Sequence, residues 1–109
     1  MEPPKGYHDT FSRPHLVREN EVAGNTLAQI QGVIAGSQQQ TVSLQRQLHG
    51  MRTDGRSTLE QQSEVIERIG RSNRGIEDMG TQITKLQGLM EFNRECIRYI
   101  DWLRGGVTL

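Results

Sequence analysis

Three histidines, one cysteine and a central glutamine are the residues of this 109-residue chain whose chemistry invites a first look. His8, His15 and His49 lie far apart, with no cysteine or carboxylate at metal-ligand spacing, and read as solvent-facing polar side chains. Cys96 stands alone, which excludes an internal disulfide and fits a reducing compartment. No histidine shares its helical face to make it a nucleophile, so it reads as a plain buried thiol, with an interchain bridge or a palmitoyl group as alternatives. The GRSNRG segment at 70–75 lacks the Gly-Lys-Ser/Thr of a phosphate-binding loop. No catalytic constellation emerges, and neither a metal nor a cofactor is expected. Gln62 is different, because its meaning depends on the element that carries it.

That element is a seven-residue apolar repeat. The a series runs Leu27, Ile34, Thr41, Leu48, Gly55, Gln62, Ile69, Ile76, Ile83, Met90 and Ile97. Three residues on, the d series runs Ile30, Ser37, Leu44, Met51, Thr58, Val65, Ser72, Met79, Leu86, Asn93 and Ile100. Fifteen of these 22 positions are apolar in a chain that is only 33% hydrophobic, which is the signature of a coiled coil. The expected fold is therefore all-α: a long coiled-coil helix with an extended N-terminal arm, packed with other chains in a three- or four-helix bundle.

Composition agrees. Aromatics are 5% and mean hydropathy is -0.66, so the apolar residues are spent along a line. Thirteen basic and thirteen acidic residues cancel, which removes the electrostatic footprint of a nucleic-acid binder. Residues 1–20 hold no signal-peptide stretch, and no apolar run is long enough to span a membrane. A membrane role would be peripheral, through a partner or a lipid anchor.

Residues 1–24 contain Pro3, Pro4 and Pro14 and read as an extended arm, or else a disordered tail. In the arm reading, Tyr7 and Phe11 contact another subunit. Helix is expected from Asn25 or Thr26 to about residue 104, with a short tail at 105–109. Between 49 and 57, Asp54-Gly55 signals a turn and Ser57 with Glu60 makes a capping-box pattern, which together allow a hairpin. The heptad phase crosses this stretch without a slip, and that favours one continuous helix, loose at 50–55. Gly70, Gly75 and Gly80 do not share a face, and each weakens the helix by about 1 kcal/mol relative to alanine. Partner helices must supply the difference.

The flanks of the seam say how many. Positions e and g are mostly neutral (Gln31, Gln38, Gln45 and Gln87; Gln40, Gln47, Gln61 and Gln82), and Val33, Leu59, Ile66 and Leu89 widen the apolar stripe. A wider stripe suits three or four helices better than two. Gln62, sixth of the eleven a positions, would fix register and partner number at some cost in stability, unless it is incidental in a glutamine-rich chain. At the far end Ile97, Tyr99, Ile100, Trp102 and Leu103 gather bulk, as a cap on the coil or as an anchor for a partner or membrane surface.

Residues 57–79, STLEQQSEVIERIGRSNRGIEDM, resemble the SNARE motif, particularly the first helix of synaptosome-associated proteins. The resemblance implies that Gln62 is the central ionic-layer glutamine, with Leu59 the layer before it and Ile66, Ile69 and Ile76 layers after it. It implies a parallel four-helix bundle acting in membrane fusion or trafficking, at a cytoplasmic or membrane-peripheral location. Asn73 and Gly80 depart from the pattern, standing where apolar layers are expected. The alternative is a structural minor subunit of a virus, phage or other large particle, bridging neighbours through its coil and arm. Both readings are non-enzymatic and take other helices, of this or another chain, as partners.

Overall fold

The computed structural model describes residues 1–105, and everything described is helix, turn or extended segment. The all-α expectation holds. Two long helices make up the chain: α1, Arg13–Asp54, and α2, Leu59–Leu103.

The first correction concerns the start of α1. Helix begins at Arg13 and not near Asn25, so the segment outside it is 1–12 and not 1–24. Pro14 does not bar this, because the first turn has no intrahelical acceptor for its N–H in any case. Ser12 supplies the cap: its hydroxyl accepts from the His15 amide at 3.3 Å, and its carbonyl accepts from Leu16 at 3.1 Å.

The second correction concerns the middle. The chain breaks into two helices at 55–58, where a continuous helix was favoured. Gly55 adopts φ +65°, the left-handed residue that ends many helices and that a side chain would strain. The next helix opens on a capping box one residue later than Ser57 and Glu60. The Thr58 amide donates to Gln61 Oε1 at 3.0 Å, and the Gln61 amide donates to Thr58 Oγ1 at 3.1 Å. Phase continuity misled because the turn takes the place of one heptad turn. It uses up Gly55 and Thr58, the a and d positions there, and leaves the seam of each helix in phase.

Contacts divide the chain into two units. The arm unit is Met1–Ala28 with Ile83–Leu109, and the turn unit is Gln29–Gln82. In the arm unit Arg13 meets Asp101 and Asn20 meets Asn93, so its helical segments run antiparallel. Leu16, Cys96 and Ile100 form its core, with Tyr7, Phe11, Phe92 and Ile97 packed around them. In the turn unit the helices descend from the turn and meet again at Thr41 and Ser72. Its buried side chains are Leu44, Val65 and Thr41. The expected tail at 105–109 lies, beyond Gly105, outside the described residues.

Candidate helix-docking surface

Every a and d position within the two helices is at least partly shielded, including Leu27, Ile30, Ile34, Leu48, Met51, Ile69, Ile76, Met79, Ile83, Leu86, Met90 and Ile97. Most are only half-buried. Among the apolar ones, only Leu16, Ala23, Leu44, Val65 and Ile100 are buried. Two helices cover a seam from one side, so the neutral flanks stay in solvent. Val33 is 57% exposed, Leu59 82%, Ile66 46% and Leu89 37%. These are the four residues that widen the stripe in sequence, and the fold turns none of them inward. Three of them, Val33, Leu59 and Ile66, belong to the turn unit.

The seam also carries polar layers. In the arm unit Asn93 is 1% exposed and donates to Asn20 Oδ1 at 3.0 Å and to Glu19 Oε1 at 3.1 Å. Asn20 in turn donates to the Met90 carbonyl at 3.2 Å. Each amide is thus paired with groups of the opposite helix. In the turn unit Thr41 donates to the Ser37 carbonyl at 3.0 Å and lies 2.7 Å from the Ser72 hydroxyl. A satisfied polar pair inside an apolar seam favours one register over its slips, since a slip would leave the amide buried and unpaired. The Asn20–Asn93 layer went unseen because the repeat was read only from Leu27. Asn20, Arg13, Ala23 and Leu16 stand one and two heptads before Leu27 and Ile30, in phase, but Pro14 within that stretch is a residue that breaks helices anywhere except their first turn.

Gln62 is placed differently from the expectation. It is half-buried one turn into α2, and its amide donates to Ser57 Oγ at 3.1 Å. Ser57 donates to the Met51 carbonyl at 2.9 Å. Gln62 therefore braces the turn of its own chain. Tyr7 and Phe11 are likewise taken by the chain itself. Tyr7 packs edge-on to Tyr99 at 4.9 Å and to Phe11 at 5.7 Å, and Phe11 meets Phe92 at 6.2 Å. Gly6, at φ +95°, lets the segment turn where an added Cβ would lie 3.5 Å from the Phe92 ring. At the far end Tyr99 and Trp102 stack at 6.0 Å, which fits the cap reading of that cluster.

Cys96 is fully buried. Burial first, and the Glu95 carboxylate second, push its thiol above the usual range, which keeps it protonated and unreactive. Tyr7 is raised too, by its partial covering and then by Asp9, Tyr99 and Cys96. No three His, Cys, Asp or Glu side chains among the described residues gather to hold a metal ion. No described helix is long and apolar enough to cross a membrane.

What the turn unit can do is present surface: its antiparallel helices, braced at the turn, leave Val33 uncovered on one margin of the seam and Leu59 and Ile66 on the other. Comparison with protein-family models, curated proteins and solved structures finds no match to this chain.

Proposed function

We propose that this chain is a non-enzymatic assembly module, a helical hairpin that docks other helices against the apolar side chains left exposed on the two margins of its seam. One observation carries the reading: Val33, Leu59 and Ile66 of the turn unit are large, apolar and exposed on the margins of a half-buried seam. Apolar area left in water at a rate of about 25 cal/mol per Å² is a standing drive toward association. The glycine-punctured helices have little propensity of their own to offset.

Between the two settings suggested by sequence, the structural subunit of a larger particle is the better supported. A helix that begins at Leu59 leaves almost nothing on the N-terminal side of Gln62 for the layers of a SNARE bundle. The amide meant for a central layer is engaged by Ser57 instead. The hairpin is antiparallel, whereas the SNARE reading implies parallel helices.

The test is thermal melting followed by circular dichroism across a hundredfold range of protein concentration. Association makes the midpoint rise with concentration. Val33→Gln, Leu59→Gln and Ile66→Gln together should weaken that dependence and leave helix content unchanged. A wild-type midpoint that does not move with concentration, in a chain that sediments as a monomer, would remove the reading.

A further inference from the structure

The outer face of α2 carries a charge pattern that the hairpin does not use. Glu60, Glu64, Glu67, Arg71, Arg74 and Asp78 are all exposed. At about 100° per residue they fall within a sector of about 80°, on the side of the helix away from its seam. Reading along it, three carboxylates are followed by two guanidinium groups. The ion pairs among the described residues are Arg13 with Asp101, His15 with Glu19, and Glu91 with Arg94 and Arg98. All of these lie in the arm unit. The stripe on α2 has no ion pair among the described residues: in the α1 segment of the same unit residues 29–45 carry no charge, and Arg46, Arg52 and Asp54 form none with it.

We infer that this face seats a second copy of the same chain, running antiparallel about a two-fold axis near Glu67. The pattern is complementary to its own reverse. Turned end for end, Glu60 lies opposite Arg74 of the second copy and Glu64 opposite Arg71 of the second copy. Glu67 lies beside the axis and faces Glu67 of the second copy, so the attraction comes from the four flanking pairs that the two-fold generates. A parallel copy in register would instead set carboxylate on carboxylate and guanidinium on guanidinium, which opposes it. Leu59 and Ile66 lie about 100° round the helix from Glu60 and Glu67, toward the seam, so this contact leaves them free. A closed two-fold dimer needs one self-complementary patch, and this is one. The inference rests on the assembly reading above and names its partner.

Two charge-reversed chains test it by sedimentation at low salt: E60R/E64R/E67R, and R71E/R74E. Each alone should self-associate at least about tenfold more weakly than wild type, as attractive pairs become repulsive. Mixed in equal amounts they should recover wild-type affinity, because every facing pair is then of opposite sign. A chain carrying all five reversals should dimerise with itself, and it keeps the test open if either partial reversal loses helix. Added salt should weaken the wild-type dimer. Wild-type association with no effect of either reversal, or a mixture no tighter than its parts, would overturn this face and leave the assembly reading standing. A wild-type chain that stays monomeric would overturn both.

Discussion

The arm unit and the turn unit are built from one heptad pattern and finish it differently. All five aromatic residues, Tyr7, Phe11, Phe92, Tyr99 and Trp102, lie in the arm unit. So do the fully buried side chains Asn93 and Cys96 and the described ion pairs. The segment 1–12 folds back there, and its Tyr7 and Phe11 cover the Leu16, Cys96 and Ile100 core. The turn unit has no aromatic residue and no such cover, and its flank and charges face solvent. A third layer of chain thus covers the Leu16, Cys96 and Ile100 core and none covers the turn unit, while both units keep large apolar side chains exposed, Val22 and Leu103 in the first and Val33 and Leu59 in the second.

The sharpest way to break this comparison is a pair of truncations. Leu16→Ala, in the closed core, should cost about 2–4 kcal/mol by the loss of buried contacts and the cavity left behind. Ile66→Ala, on the open flank, should change the stability of the dilute chain by less than about 0.5 kcal/mol while weakening association. Denaturant titration of both variants decides it. Equal costs would mean that the two units are not differently finished.

Smaller, and aimed at register, is Asn20→Ala. It removes one acceptor of the buried Asn93 amide and should cost about 1–3 kcal/mol, measured by the same titration. Gln62→Leu should stay within about 0.5 kcal/mol, since its amide is half-exposed and bonds only a turn hydroxyl. A large effect at Gln62 with a small one at Asn20 would return the register role to the centre of the chain.

The smallest effect is a pH dependence confined to the arm unit. Burial raises the Cys96 thiol above its ordinary value of 9.0, so the folded chain holds that proton more tightly than the unfolded one. Its stabilising contribution is complete below the ordinary value and is lost as pH climbs from there through the raised value of the folded chain. Tyr7 is raised from 10.0 and has the same sign at higher pH. Melting midpoints should fall as pH rises above 9.0, and Cys96→Ala should flatten the first part of that fall. A thiol reagent should label Cys96 at the rate of unfolding; rapid labelling of the native chain would contradict its burial.

By itself the sequence determined the fold class and the seam. Apart from Gly55 and Thr58 in the turn, the a and d residues named by the repeat are the shielded ones, because a period near 3.5 keeps them on one face of each helix, and the same face continues back to Ala23, Asn20 and Leu16. It also singled out Val33, Leu59, Ile66 and Leu89 as flanking residues. Tertiary structure decided the rest. A heptad states which face is buried and not against what, so a continuous helix and a hairpin with an in-phase turn share one pattern until Gly55 and the Thr58–Gln61 cap choose between them. Proline near a helix start has two meanings, and only the Ser12 cap shows that Pro14 opens α1. The aromatic pair in the arm could have served another chain. That Tyr7 and Phe11 cover their own core depends on contacts from residues some 90 positions away, such as Tyr99 and Phe92, which no local pattern encodes.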